Sequence, residues 1–317
     1  MTTTSARTLT APPRSGSRSS TRPCLAPYLF SAPAVILYIL FTLVPVGYTI
    51  WLSFRAYRLE GSGIGGRRVD VFAGLDNYAT VFGDPEMIAG FTRLLIYGVI
   101  AVPLTLGLAL LFALLLDAPA VRAKRFSRTA IFVPYAVPGI VAALMWGFMY
   151  LPSTSPFSYV TRSLDLGSIL FLSNPGLFGS LANIAIWGGV GFNMIIIYTS
   201  LRSIPTELYE AARLDGANEM QIALRIKVPL TRPALILTAV FSLIGALQLY
   251  GEPTTLKPLT SQISQTWAPL MTIYRDAFIT DNLPAAAAAS TVLALGTLVV
   301  SAFVLWVSSR RKSGSQS

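Results

Sequence analysis

Residues 94–116 of the chain read LLIYGVIAVPLTLGLALLFALLL and contain no charged side chain. A helix of about 20 apolar residues is long enough to cross the roughly 30 Å hydrocarbon core of a lipid bilayer. Apolar residues occur on every side of such a helix, without the polar stripe that a surface helix of a soluble protein shows. The stretch therefore predicts a transmembrane helix.

Five further runs, on both sides of this stretch, lack Asp, Glu, Lys and Arg over at least 19 residues. Only 12% of the 317 residues are charged, whereas a soluble domain carries about 25%. Another uncharged run, 258–274, is shorter and rich in Thr, Ser and Gln, so it predicts a loop. We predict an all-α integral membrane protein with six transmembrane helices. The predicted spans are 27–52, 93–116, 129–151, 178–201, 232–250 and 284–309.

The positions of the basic residues predict the orientation of the chain. If the N-terminus is cytoplasmic, 16 of the 24 Lys and Arg residues lie inside and 9 of the 14 acidic residues lie outside. Cytoplasmic loops of membrane proteins carry an excess of Lys and Arg, so we expect both termini in the cytoplasm. The net charge of +10 then reflects topology and requires no nucleic-acid partner.

The chain termini and the outside segment show little that indicates chemistry. Residues 1–26 are rich in Ser, Thr, Pro and Arg, which predicts a disordered basic cytoplasmic tail, and residues 310–317 form a second cytoplasmic tail. The glycines of 61–66 fit G-x-G-x-x-G but do not open a helix after a soluble strand, so we expect a flexible loop there. Cys24 is the only cysteine and histidine is absent, which excludes an internal disulfide and imidazole catalysis.

The segment between the fourth and fifth predicted spans, residues 202–231, is too polar to cross a membrane; we call it the signature loop. Gly216 lies where a helix needs a left-handed C-terminal cap. Asn218 can cap a second helix with Gln221 in the capping-box position, and Pro229 is expected to end that helix. The signature loop therefore predicts a cytoplasmic helix–turn–helix.

The spacing within this loop is more specific than its capping pattern. Glu-Ala-Ala at 210–212, three residues, Gly216, nine residues and then Ile-Lys-Val-Pro at 226–229 resembles the cytoplasmic signature of ABC importer permeases, with Val228 in place of the usual leucine. The carbohydrate-uptake branch, of the maltose and glycerol-phosphate permease type, fits best, because 72–78 (FAGLDNY) resembles the outside motif of its first-subunit members. The resemblance extends from about residue 27 to 309.

The resemblance implies that the signature loop couples the chain to a separate ATP-binding subunit. It also implies a second homologous permease, two ATP-binding subunits and an extracytoplasmic solute-binding protein, assembled in the lipid of a bacterial cytoplasmic (inner) membrane. The chain contains no G-x-x-x-x-G-K-[ST], so we expect it to bind no cofactor, with ATP and Mg²⁺ used by the partner ATPase. The coupling residues implied are Glu210, Ala211, Ala212, Asp215, Gly216, Ile226 and Pro229.

Polar groups in and beside the fourth and fifth spans are candidates for a solute pathway, because the family places its cavity there and polar residues inside a membrane are costly. Asn and Gln also hold membrane helices together, and tryptophans form interfacial belts, so both interpretations stay open. After the fifth span the chain reads LYGEPTTL at 249–256, without the Gly-Gly-Pro of many members. The candidates are Asn183, Trp187, Asn193, Gln248, Tyr250 and Glu252.

The favoured interpretation is a transport subunit that forms half of the pathway for a sugar or sugar-like solute and is not itself an enzyme. The same class of permease also carries polyols, glycerol-phosphate, amino acids or peptides, and the sequence leaves these open. The spans hold no cluster of cations for a phosphate, which favours a neutral sugar. An ion-coupled secondary transporter is the weaker alternative, because it would be expected to show an inverted repeat and acidic residues inside its spans.

Overall fold

The computed structural model describes residues 26–60, 67–165 and 169–313. The chain divides into two units, residues 1–48 and 49–317. The described part of the first unit is helical, starting with α1 (Ala26–Tyr38). A π-helical turn, Ile39–Leu43, then leads into α2 (Val44–Ser53), and the N–H of Val44 bonds to the carbonyl of Ile39. This wider turn comes directly before Pro45, whose missing N–H and bulky ring would interrupt an ordinary α-helix.

The second unit begins with the end of α2, residues 49–53, and continues into a β-hairpin that the sequence analysis did not predict. Strands β1 (Arg55–Glu60) and β2 (Arg67–Phe72) pair antiparallel, with Arg55 opposite Phe72. An ion pair between Arg55 and Asp70, 2.9 Å long, closes the hairpin near its base. The loop predicted at 61–66 lies outside the described residues. The chain then forms α3 (Asp76–Gly83) directly after Gly74, whose φ of +57° is in the left-handed region.

The remaining helices follow in chain order. They are α4 (Pro85–Asp117), α5 (Lys124–Phe132), α6 (Gly139–Tyr150), α7 (Pro156–Ser163), α8 (Gly176–Arg202), α9 (Glu207–Leu214), α10 (Glu219–Ile222), α11 (Val228–Leu230), α12 (Arg232–Leu247), α13 (Gly251–Leu256), α14 (Pro269–Phe278) and α15 (Leu283–Ser313).

Among the described residues, five helical runs are long and apolar enough to cross a membrane, and a bent pair of helices makes a sixth if its two arms together form one span. The predicted helical membrane fold is thereby confirmed, with five spans, or six if the bent pair is one span, and the β-hairpin is the addition to it. The five runs are Tyr28–Ser53, Pro85–Asp117, Gly176–Arg202, Arg232–Leu259 and Leu283–Ser308.

Several helices extend beyond their predicted bounds. Helix α4 begins at Pro85 and not at residue 93, because the Asp84 side chain accepts a hydrogen bond from the Glu86 N–H and caps its first turn. Helix α1 starts within the predicted N-terminal tail, and α15 continues to Ser313, inside the predicted C-terminal tail. Residues 1–25 and 314–317 lie outside the described residues.

The third span is broken, although the sequence predicted one helix over 129–151. The segment Lys124–Ala136 and helix α6 are bent by 95° relative to each other. Val137, the residue between them, has extended backbone (ψ 126°) because it precedes Pro138. Helix α8 packs tightly against the first arm: a Cβ built on Gly191 would lie 2.3 Å from the carbonyl oxygen of Ile131.

The prediction of a loop over 258–274 is wrong for the second half of this segment, where α14 begins. Pro269 starts this helix, since a proline suits the first helical turn. Ala268 and Thr272 are fully buried there, and Gly90 of α4 approaches the backbone of Pro269, with a built Cβ 3.4 Å from its nitrogen. The fifth predicted span, 232–250, is also not one helix: α12 stops at Leu247, and the membrane-length run continues through α13 to Leu259.

The core of the second unit is formed by helix contacts that use small residues. Ala109 and Ala113 of α4 are fully buried against Met194 and Ile197 of α8. Alanines 286–289, at the start of α15, are almost fully buried as well. Small side chains let helix backbones approach closely, which is the main source of helix association in lipid.

Candidate functional site

The turn of the signature loop is built around Gly216. Its φ of +83° lies in the left-handed region, where an L-residue with a Cβ is strained. The N–H of Ala217 donates a hydrogen bond to the carbonyl of Ala212 at 2.9 Å, and the N–H of Gly216 donates one to the carbonyl of Arg213 at 3.0 Å. These two bonds are those of a Schellman motif, so the predicted left-handed cap at the end of α9 is confirmed.

The second helix of the loop starts as predicted but does not end as predicted. Asn218 accepts a hydrogen bond from the Gln221 N–H, and the Gln221 side chain accepts one from the Asn218 N–H, both 2.9 Å long. Pro229 does not stop the helix. The backbone widens into a π-helical turn over Ala223–Lys227 and continues through α11 to Leu230, as it does before Pro45.

The outer face of the signature loop is exposed. Glu210, Ala211, Asp215 and Gly216 are exposed, whereas Ala212, Ile226 and Pro229 are half-buried. Large apolar side chains project beside them, and Leu214, Met220 and Leu224 are 90%, 67% and 59% exposed. Exposed apolar groups framed by charged residues are typical of a surface that another protein or a membrane covers.

The inner face of the loop rests on a buried ion pair. Lys227 Nζ donates to Asp117 Oδ2 at 2.6 Å, and each side chain is 6% exposed. The Lys227 ammonium also lies 4.9 Å from the centre of the Tyr209 ring, and Arg202 approaches Asp117 to 4.0 Å. Burial raises the pKa of the Tyr209 hydroxyl and the Asp117 carboxylate adds to the rise, whereas Arg202 opposes it. Sequence reasoning missed this pair, because its members are 110 residues apart.

A cavity of about 390 Å³ lies among the helices of the second unit. Its walls come from α4, both arms of the broken span, α8, α12 and α13. Tyr135 from the break stacks on Phe192 of α8 with ring centres 4.9 Å apart, and Phe241 of α12 continues this aromatic wall. Asn193 is 95% buried and accepts a 3.4 Å hydrogen bond from Ser242.

The structure separates the six predicted pathway residues into two groups. Asn193 and Glu252 line the cavity. The other four do not: Asn183 donates to the Tyr150 hydroxyl, Trp187 packs edge-on against Trp146, Tyr250 packs against Tyr274, and Gln248 is exposed at the end of α12.

Sequence reasoning did not identify Tyr135, Phe192 and Phe241 as cavity residues. Aromatic side chains in an apolar span look like ordinary core or lipid-facing residues. The one available signal was the pair of prolines at 134 and 138, because a break at this point turns Tyr135 toward α8.

A set of membrane-length helices around a cavity, with an exposed helix–turn–helix loop, is typical of the membrane component of a transport system. Residues 101–313 match the family described as binding-protein-dependent transport system inner membrane component, and the chain belongs to this family. It is therefore a multi-pass permease subunit that works with a solute-binding protein, and not an enzyme.

Curated relatives cover nearly the whole chain. The probable ABC transporter permease protein YurN of Bacillus subtilis is 30% identical over 87% of this chain and 94% of its own length. The sn-glycerol-3-phosphate transport system permease protein UgpA of Escherichia coli O157:H7 is 29% identical, over 89% and 95%. A chain of a bacterial ABC transporter for the acidic polysaccharide alginate has the same fold, with a TM-score of 0.75 at 22% identity over 90% of this chain and 95% of its own.

Proposed function

We propose that this chain is one of two homologous permease subunits of an ATP-driven importer for a neutral sugar. The observation that carries the proposal is the exposed signature loop, whose apolar side chains Leu214, Met220 and Leu224 have no cover among the described residues. YurN and UgpA, both named as transport permeases, support the assignment to an importer.

The signature loop is the segment through which ATP hydrolysis in a partner subunit drives the permease. Glu210 and the exposed apolar residues dock in a cleft of an ATP-binding subunit, and the left-handed turn at Gly216 sets the angle between the two short helices. ATP and Mg²⁺ are bound by that partner, because the chain lacks a phosphate-binding loop sequence. The full importer holds two permeases, two ATP-binding subunits and an external binding protein. Both chain termini lie in the cytoplasm of a bacterial cell.

The cavity is the part that passes the solute, and its charge favours a neutral one. Glu252 is the only charged side chain among the described residues that line it, and no lysine or arginine does so. A phosphate or uronate group would meet that carboxylate in a medium of low dielectric constant, where like charges repel strongly. Asn193 and Ser242 offer hydrogen bonds to hydroxyl groups, and Tyr135 and Phe192 offer ring faces to the apolar side of a sugar.

The proposal is tested with the complete importer in proteoliposomes, with ATP inside and the binding protein outside. We expect ATP-dependent uptake of a neutral sugar, with maltose and glycerol compared against sn-glycerol 3-phosphate and an alginate oligosaccharide. Gly216→Asp and Glu210→Lys should abolish uptake while the variants still insert and assemble. Uptake of only the anionic probes would overturn the solute assignment, and normal uptake by either variant would overturn the coupling role.

A further inference from the structure

The ion pair between Asp117 and Lys227 is buried at the junction between the signature loop and α4. Its N–O distance is 2.6 Å, with 6% of each side chain exposed. Removing two charges from water costs about as much as their attraction returns, so such a pair adds little net stability compared with apolar side chains. What the pair does provide is a fixed position, because a buried charge that moves away from its partner is left uncompensated, which is strongly destabilising.

The surroundings of Lys227 hold it in that place. Its ammonium lies 4.9 Å from the Tyr209 ring centre, so α9 forms one side of the site. The Thr231 hydroxyl, fully buried, donates to the Lys227 carbonyl at 2.9 Å. Lys227 is also the last residue of the π-helical turn. The signature loop therefore contacts the end of α4 through the Lys227 side chain. Neighbouring residues hold both the backbone carbonyl and the ammonium group of this lysine.

Helix α4 connects this contact with the cavity. It is one helix from Pro85 to Asp117, and Tyr97, Ala101 and Thr105 on it line the cavity. Thr105 precedes Asp117 by twelve residues, which corresponds to about 18 Å along the helix axis. Pro103 lies beside the cavity residues and removes one hydrogen bond of the helix, so α4 bends most easily at that level.

We propose that Asp117 and Lys227 are positioning residues that make the end of α4 move with the signature loop, so that loop motion changes the cavity wall. This inference rests on the coupling role proposed above. Asp117 lies outside the signature loop, Lys227 lies in it but is not one of the coupling residues that the resemblance implies, and neither is exposed enough to contact a partner subunit. The pair acts inside the permease, between the docking surface and the pathway.

The test measures the number of solute molecules moved per ATP hydrolysed by the reconstituted importer, with maltose as probe. Lys227→Met is the primary variant, since it keeps the apolar stem and leaves Asp117 with Arg202, 4.0 Å away, as its remaining partner. We expect this ratio to fall about tenfold, which is in the middle of the range for coupling between two sites, while ATP hydrolysis continues. The ratio does not depend on how much importer is folded, so a loss of stability alone leaves it unchanged.

Two further variants serve as a control and as a rescue of the effect of Lys227→Met. Asp70→Asn breaks the 2.9 Å ion pair with Arg55 in the β-hairpin and should leave the ratio at the unmodified value. The reversed pair, Asp117→Lys with Lys227→Asp, should recover at least part of the loss. An unchanged ratio in Lys227→Met overturns the inference. If Gly216→Asp still stops uptake in that case, the proposed function stands and only the inference about the ion pair fails. If Gly216→Asp also transports normally, the proposed function fails.

Discussion

At the scale of single residues, the conformation of Gly216 is the clearest link between sequence and function. The residue has φ +83°, and no atom lies within 4 Å of a Cβ built on it. Space therefore does not require glycine at this position, but the backbone conformation does. For an L-residue the left-handed region costs about 1–2 kcal/mol, and asparagine tolerates it better than alanine.

Gly216→Ala should therefore loosen the turn more than Gly216→Asn. We expect faster hydrogen exchange of the Ala217 amide, which bonds to the Ala212 carbonyl in the closed turn, by about tenfold for a cost of 1.4 kcal/mol. ATP-driven uptake should fall in the same order, with the alanine variant the slower. Equal exchange in all three proteins would show that the left-handed turn does not need glycine.

The residue scale also shows what local rules can and cannot predict. The caps at Gly216 and Asn218 were predictable, because each hydrogen bond joins residues at most five apart. The continuation through Pro229 was not predicted, because the rule that a proline ends an α-helix does not consider a π-helical turn before the proline. The Asp117–Lys227 pair depends on where α4 ends in space, and no local pattern contains that information.

At the scale of elements, the broken third span shapes the cavity. Its arms meet at 95°, and the break presents Tyr135 to Phe192. Gly191 of α8 allows the first arm to pack at this position, because any side chain there would overlap the backbone of Ile131 and Phe132, at 2.3 and 2.8 Å. The close approach involves backbone atoms, which cannot rotate away.

Gly191→Ala should therefore push the first arm away from α8 and disturb the cavity. Overpacking of this kind costs about 1–3 kcal/mol, so we expect a lower midpoint of thermal unfolding in detergent together with reduced uptake. Gly179→Ala on the same helix is the matched control, since a Cβ there meets nothing within 4 Å. A stable, fully active Gly191→Ala protein would show that the two elements do not pack as described.

The elements that were predictable are those with a strong uniform signal. Long uncharged runs give five continuous spans, because the membrane leaves few alternatives to an apolar helix. The β-hairpin at 55–72 was missed because it combines two short strands with charged side chains such as Arg55 and Asp70, outside any strict alternation. Helix α14 was missed because the uncharged, polar residues just before it are typical of a loop, and Pro269 was not recognised as a first-turn residue.

At the scale of the whole molecule, the number of membrane crossings decides on which side of the membrane the chain termini and the signature loop lie. Five helical runs are long enough to cross, and the bent pair adds a sixth if both of its arms together form one span. An even number puts the two chain termini on one side of the membrane, and an odd number puts them on opposite sides. The excess of basic residues predicts that both termini lie in the cytoplasm.

Labelling of the two chain termini can distinguish a chain with five membrane spans from one with six. Cys24 is the only cysteine and lies close to the N-terminus, so it reports one end of the chain, and Ser317→Cys in a Cys24→Ser background reports the other. With a membrane-impermeant maleimide we expect neither cysteine to react in intact cells, and both to react in inverted vesicles. Reaction of the two reporters from opposite sides would mean that the bent pair does not cross. Reaction of both from outside would place the signature loop on the outer face, out of reach of cellular ATPases, and would exclude the proposed coupling.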